Sequence, residues 1–182
     1  QLDLLCGGPP CQEYARGQSR RSQKVETKDV PQSYLFEEMA RLIELLEPRV
    51  FLFENVEGLL TAKWTKWKRS RKGEVFRRVW KEFEKLEKYE IQPTLIHAYN
   101  FGVPQNRPRV MIMGVRGDVY STCGYEKVEF NPRQRRFQKN GKETYSKVIR
   151  NNGGLFPTEN DRDFPDMFDA LDDLDFKGWT ED

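Results

Sequence analysis

Short apolar runs alternate with longer amphipathic stretches along the first 117 residues of the chain. The run over residues 2–6 ends at Gly7-Gly8-Pro9-Pro10, which predicts a buried strand closed by a turn. Apolar residues over 33–46 have the spacing of one helix face, and Pro48 ends that pattern. Residues 50–53 predict a second buried strand, with Glu54-Asn55-Val56 at its carboxyl end.

The same alternation continues after a loop rich in tryptophan and lysine. Gly73 begins another amphipathic stretch, and residues 89–98 and 109–115 predict a third and a fourth strand. This order predicts a doubly wound α/β sheet. No helix separates the last two strands, so we expect them to form an antiparallel pair. Beyond residue 117 the apolar pattern weakens to a polar extension, for which we expect loop with some strand over 118–154 and a short helix over 164–174.

Charge is distributed unevenly along the 182 residues. Residues 61–90 carry 11 Lys/Arg against 5 Glu, a net of +6, whereas residues 157–182 carry 2 basic against 10 acidic residues, a net of −8. The basic stretch fits a polyanionic partner, and the alternative is a solvated helix face.

Cysteine and histidine usage restricts the kinds of site. Three cysteines, none in a CxxC pair, and a single histidine make a disulfide scaffold or a zinc site improbable and favour a reducing, intracellular compartment. The apolar runs are also far shorter than a membrane span. We therefore expect no metal and no membrane partner.

Two residues fall where α/β sheets place their chemistry, just beyond the carboxyl ends of strands. Cys11 follows the rigid Pro9-Pro10 turn, and Glu54 follows the second strand. Taken alone, Cys11 is better explained as a small buried hydrophobic residue, as free cysteines commonly are. The surrounding motifs change that interpretation.

Three motifs resemble the signature motifs of the DNA (cytosine-5)-methyltransferases, in the same order: residues 7–12 (GGPPCQ), 54–56 (ENV) and 105–109 (QNRPR). The resemblance covers about residues 2–116, and residues 168–174 are similar to the segment that precedes the family's target-recognition region. It implies that residues 1–117 form the C-terminal half of a Rossmann-like catalytic domain dependent on S-adenosylmethionine, with the first strands outside this chain. Residues 118–182 would lead toward the recognition region.

The resemblance assigns a role to each matching residue. Cys11 is implied to be the nucleophile that adds to ring carbon 6 of a flipped cytosine, which activates carbon 5 for methylation. Glu54 would hydrogen-bond or protonate ring nitrogen 3. Arg109 would bind the carbonyl oxygen of the base, and Arg107 would bind the base or a phosphate. The implied partner is double-stranded DNA.

Further contacts follow from the same resemblance. Gln12 and Arg16 are expected to touch the DNA backbone, together with Arg107. Pro10 and Leu35 are expected to contact S-adenosylmethionine, although most of that cofactor's site lies outside this chain. A complementary chain could carry the cofactor-binding half. By itself this polypeptide is therefore expected to be inactive, as a fragment or as a split subunit.

Some residues leave alternatives open. Asn55 is expected to fix a loop by hydrogen bonding and not to react. His97 could accept a proton, but a core role is favoured because it lies inside a predicted strand. Trp64 and Trp67 could stack on bases or cover the sheet edge.

The alternatives for the whole molecule differ in class. The main hypothesis is a cytosine-5 DNA methyltransferase, and the sequence leaves open whether it belongs to a restriction-modification system, regulates genes or serves a phage. One rival is a non-catalytic subunit that binds DNA or a partner. Another is an RNA cytosine methyltransferase, although Cys123 lacks the context of a second catalytic cysteine.

Overall fold

The computed structural model describes residues 2–10, 26–65, 71–124, 130 and 154–156, and the backbone of residues 136–137 and 143–144. Its helices and strands follow one another along the chain as β1 (Leu4–Gly7), α1 (Leu35–Leu46), β2 (Val50–Val56), α2 (Glu74–Phe83), β3 (Tyr89–His97), β4 (Pro108–Arg116), α3 (Gly117–Cys123), β5 (Arg136–Phe137) and β6 (Glu143–Thr144). Short 3-10 turns span Thr27–Asp29, Pro31–Tyr34, Glu57–Leu60 and Ala98–Phe101.

The first four strands form one mixed sheet in the spatial order β1-β2-β4-β3. β1 and β2 are parallel, with Gly7 opposite Phe53. β4 runs antiparallel to both β2 and β3, so β3 points in the same direction as β2 with β4 inserted between them. The prediction of an α/β fold whose last two strands are antiparallel is confirmed.

Helices α1 and α2 cover one face of this sheet and contact each other. Their apolar stripes bury Phe51 and Phe53 of β2, whose rings lie 5.5 and 5.3 Å from the ring of Phe83 in α2. A side chain at Gly7 would meet the sulfur of Met39 in α1, so α1 lies directly over β1. The core of the described part is thus an aromatic layer between two helices and the sheet.

On the other face the described residues give partial cover. Gln92 and Thr94 are buried there although they are polar. The backbone N–H of Leu155 donates to Oε1 of Gln92 at 2.8 Å, and the neighbouring Phe156 is buried. None of the helices described is long and apolar enough to cross a bilayer.

The structure corrects three expectations about elements. β1 is not buried: Leu4 is 53% exposed, because β1 pairs with a single described strand and α1 covers only one of its faces. β2 does not stop at Phe53 but continues to Val56, because β4 pairs with it along that whole length.

A third helix also lies where loop was expected. α3 has no buried residues and therefore no apolar periodicity to reveal it. Its first turn is stabilised by the ion pair between Arg116 and Asp118, with Nε 2.7 Å from Oδ1. The short β5 and β6 pair fits the strand expected in the extension. The helix expected over 164–174 lies outside the described residues.

Candidate active site

The three sequence motifs meet at one edge of the sheet. β1, β2 and β3 all end at this edge, and the antiparallel β4 begins there. The Gly-Pro turn after β1, the end of β2 and the start of β4 are therefore neighbours in space, although residues 54 and 109 are far apart in sequence. We call this the catalytic edge, and the opposite end of the sheet the far edge.

Glu54 and Arg109 form an ion pair across two strands at the catalytic edge. Arg109 lies opposite Val56 and Glu54 lies opposite Met111, so the two side chains are diagonal neighbours on one face of the sheet. Arg109 Nε is 2.6 Å from Glu54 Oε1. The Arg109 side chain is 20% exposed and that of Glu54 is 40% exposed, so a ligand can reach the carboxylate.

The arginine is held from a second direction. Its Nη1 donates to the backbone carbonyl of Pro108 at 2.8 Å. A guanidinium fixed by two acceptors keeps its remaining N–H groups in a defined plane, as recognition of a planar ring requires. Arg109 is thus held in one orientation beside Glu54 at the catalytic edge.

The carboxylate also lies against the turn that leads to Cys11. A Cβ placed on Gly8 would be 3.1 Å from Glu54 Oε2 and 3.7 Å from the Glu54 backbone oxygen. The absence of a side chain at Gly8 lets the backbone approach Glu54 this closely. One carboxylate oxygen thus faces Arg109, and the other lies beside the turn.

Asn55 joins the second motif to the first. It is 3% exposed, and its Nδ2 donates to the carbonyl of Pro9 at 3.1 Å. Its Oδ1 accepts from the N–H of Val56 at 3.0 Å, which fixes the orientation of the amide. The structure shows the hydrogen bond to the loop that was expected of Asn55.

The other predicted site residues fall into two groups. Pro10 is exposed, Leu35 is 37% exposed at the start of α1, and Arg107 is exposed in the turn before β4. These three remain accessible at the catalytic edge. Cys11, Gln12 and Arg16 lie outside the described residues, so their roles remain predictions.

His97 is not the core residue that was favoured. It ends β3 at the catalytic edge, is half-buried, and its Nδ1 lies 3.3 Å from Oδ1 of Asn106. Its position one residue before the end of the strand predicted over 89–98 is the signal that could have placed it at a strand end. The contact with Asn106 depends on the strand register and had no sequence signal.

The burial of Trp64 contradicts the expectation that it could stack on bases. It is 5% exposed, which leaves no free face for a base. The alternative, that it covers the sheet edge, stays a prediction. The Trp64 ring packs edge-on against Tyr34, with centroids 5.1 Å apart, and Arg78 lies over it with Cζ 4.5 Å from the centroid. Trp67 lies outside the described residues.

Curated relatives match 62–70% of the chain. Type II methyltransferase M.Bpa9945I of Bacillus paralicheniformis is 36% identical over 121 residues, covering 62% of this chain and 25% of the relative. Type II methyltransferase M1.ScrFI of Lactococcus lactis is 38% identical over 112 residues, covering 62% of this chain and 25% of the relative. Type II methyltransferase M.PspPI of a Psychrobacter species is 35% identical over 127 residues, covering 70% and 27%. The chain therefore spans about a quarter of the length of these relatives.

Solved structures and a family model complete the comparison. The methyltransferase EhMeth of Entamoeba histolytica is 20% identical with a TM-score of 0.42, covering 75% of this chain and 34% of that structure. A DNMT2 variant of Spodoptera frugiperda is 21% identical with a TM-score of 0.43, covering 70% and 33%. The family model described as C-5 cytosine-specific DNA methylase matches residues 1–177. Because that match extends over nearly the whole of this 182-residue chain, the chain belongs to the C-5 cytosine-specific DNA methylase family.

Proposed function

We propose that the complete protein is a DNA (cytosine-5)-methyltransferase that transfers a methyl group to carbon 5 of a cytosine flipped out of the duplex. The observation that carries the proposal is the Glu54–Arg109 pair of 2.6 Å, formed directly beside the turn that precedes Cys11. It joins an acid and a planar donor at the edge where the described chain ends at Pro10, directly before Cys11. Membership of the family supports the assignment.

The proposed cofactor is S-adenosylmethionine, and the residues assigned to it are accessible. Pro10 and Leu35 both present exposed surface at the catalytic edge, where S-adenosylmethionine would bind. When bound, that cofactor supplies an electrophilic methyl group. In this proposal the two residues would form one wall of its site.

The chain's own residues activate the base. The Cys11 thiolate forms a bond to ring carbon 6, and the electrons of the 5,6 double bond move into the ring. Glu54 shares a proton with ring nitrogen 3, and Arg109 hydrogen-bonds the carbonyl oxygen, so the added charge is neutralised. Carbon 5 then forms its bond to the methyl group as the bond between that methyl group and the sulfonium sulfur breaks, and the electron pair of the broken bond stays on sulfur. Loss of the carbon 5 proton to solvent and departure of the thiolate restore the double bond.

Trapping with 5-fluorocytosine DNA tests this proposal. Fluorine at carbon 5 cannot leave as a cation, so the enzyme remains covalently attached after methyl transfer. We expect the complete protein with S-adenosylmethionine to form a denaturation-resistant adduct with DNA. Cys11→Ser should abolish that adduct. Cys6→Ser is the matched control, since Cys6 is an exposed thiol on β1 outside the motif, and it should form the adduct normally.

The pair is tested by conservative changes. Glu54→Gln keeps the size of the side chain but loses its acid, and we expect at least about a hundredfold slower adduct formation. Arg109→Lys keeps the charge but loses the planar donor, and we expect about a tenfold loss. DNA binding without any adduct would replace the proposal with the non-catalytic subunit. An adduct formed only on 5-fluorocytosine RNA would replace it with an RNA methyltransferase.

A further inference from the structure

His97 lies at the base of the connection that carries the arginine motif. It is the last residue of β3 and faces Pro108, the first residue of β4. The preceding Ile96 faces Arg109, which is paired with Glu54. His97 therefore directly follows Ile96, the residue of β3 that lies opposite Arg109.

The imidazole of His97 contacts both limbs of this connection. Its ring lies edge-on to Tyr99 on the outgoing limb, with centroids 5.6 Å apart and an interplanar angle of 68°. Its Nδ1 lies 3.3 Å from Oδ1 of Asn106 on the returning limb. An amide oxygen only accepts, so this hydrogen bond requires a proton on Nδ1.

The backbone hydrogen bonds within the connection are local. Gln105 N–H donates to Val103 at 2.7 Å, and Arg107 N–H donates to Gln105 at 3.0 Å. Val103 N–H donates to Ala98 at 3.3 Å. These bonds shape the turns, but each spans only a few residues. The contact between His97 and Asn106 spans nine residues and ties the returning limb to the end of β3.

We propose that His97 is a positioning residue for the arginine motif. By holding Asn106, His97 fixes the backbone that leads into residues 107–109. The guanidinium groups of Arg107 and Arg109 are thereby held in position to bind the base and the phosphate. His97 acts through Asn106 and needs no proton transfer of its own. The inference rests on the proposed function, because it gives the positioning a catalytic purpose.

The test uses the complete protein and three variants. His97→Ala removes the donor, Asn106→Ala removes the acceptor, and His97→Asn places an amide N–H near the position of Nδ1. Because a single hydrogen bond is involved, we expect His97→Ala to lower kcat for methyl transfer roughly five- to tenfold. His97→Asn should recover kcat to within about twofold of the wild type. The double alanine variant should be no slower than His97→Ala, since both changes remove one contact.

Amide hydrogen exchange over residues 98–109 gives a readout that is independent of activity. It should be faster in His97→Ala and normal in His97→Asn. Lys85→Ala, exposed at the far edge, is the control and should change neither measurement. An unchanged kcat and exchange in His97→Ala would overturn the inference. An equal loss of kcat in His97→Ala and His97→Asn would also overturn the inference, because activity would then depend on the imidazole ring itself and not on the N–H donor.

The two proposals fail in distinguishable ways. A wild-type protein that forms no adduct contradicts the methyltransferase proposal, and the inference about catalysis falls with it. An active wild type whose His97→Ala variant is equally active contradicts the positioning role alone.

Discussion

The two oxygens of one carboxylate have different neighbours at the catalytic edge. Glu54 Oε1 is held by Arg109 at 2.6 Å, whereas Oε2 lies beside the backbone of Gly8. One oxygen of the Glu54 carboxylate is therefore paired with the Arg109 guanidinium, and the other faces the turn that precedes Cys11. Its position depends on a residue that has no side chain.

Gly8→Ala should therefore slow catalysis without unfolding the protein. The new Cβ would lie 3.1 Å from Oε2, so the carboxylate must shift by a few tenths of an ångström. We expect kcat to fall by about tenfold, because small misplacements of catalytic groups are costly. The measurement is a single-turnover methyl transfer assay with the complete protein.

A matched glycine provides the control. Gly117→Ala at the far edge would bring its Cβ 3.6 Å from the carbonyl oxygen of Lys88, an ordinary contact, and should keep full activity. A Gly8→Ala variant as fast as this control would show that the Glu54 carboxylate tolerates displacement.

Glu54 and Arg109 were named from motifs that resemble a known family, and the structure places the two side chains together. Cys11 was named from the same resemblance and stays a prediction, because it lies outside the described residues. The contacts of Gly8 and Asn106 could not be predicted, because they depend on which atoms lie beside these residues after the strands pair. Such neighbours depend on register, which the sequence motifs do not state.

Among the elements of the four-stranded sheet, β2 and β4 both pair on two sides. The ring of Phe51 in β2 lies over Gly114 of β4. A Cβ on Gly114 would come 2.0 Å from Cε1 of Phe51. Both residues lie in the middle of the sheet under α2, where neither strand can move away freely.

Gly114→Ala should accordingly destabilise the fold. Overpacking of this kind commonly costs about 1–3 kcal/mol, and we expect the upper part of that range. Urea unfolding of the complete protein measures it. Gly114→Ala combined with Phe51→Leu should recover part of the loss, because the smaller side chain removes the clashing ring atoms. A single variant as stable as the wild type would show that the aromatic layer can rearrange.

Elements were predictable where periodicity is complete. α1 and α2 each bury one apolar stripe, so the sequence reveals them. The extent of β2 was underestimated because Glu54 and Asn55 interrupt its apolar run, although the backbone continues to pair. α3 has no buried residues, so its sequence carries no apolar stripe. Short-range hydrogen bonds such as Ser121 Oγ to the Asp118 carbonyl at 3.0 Å help to support it.

At the scale of the whole molecule, the described residues form ion pairs at both ends of the sheet. The Glu54–Arg109 pair lies at the catalytic edge, and other pairs lie at the far edge. The far edge is tied by ion pairs between Glu47 and Lys88 and between Arg116 and Asp118. Arg116 also donates to the Glu47 carbonyl at 2.6 Å. Hydrogen bonding to Lys88 lowers the pKa of Glu47, and hydrogen bonding to Arg116 lowers the pKa of Asp118.

These lowered pKa values predict a loss of stability in acid. A carboxylate whose pKa is lowered by folding stabilises the folded state above its unfolded pKa and loses that contribution as the pH falls through its folded pKa. The contribution should therefore be complete at neutral pH and decline below about pH 4.

Urea unfolding tests this predicted loss of stability. The urea midpoints of the wild type and of Asp118→Asn are measured from pH 7 to pH 3. The difference between the two proteins should be largest at neutral pH, shrink in acid, and decrease with added salt. A difference that stayed constant with pH would mean that the ion pair at Asp118 does not contribute through its charge.

The insertion of β4 between β2 and β3 also sets the order in which this part of the sheet can be completed. The ribosome synthesises a chain from its N-terminus, so β4 is the last of the four strands to be made, yet it occupies a central position. A nascent chain that still lacks β4 has no β4 to pair with one side of β2, and its Glu54 has no Arg109 to pair with. The carboxylate–guanidinium pair therefore forms only after the last of the four strands has left the ribosome.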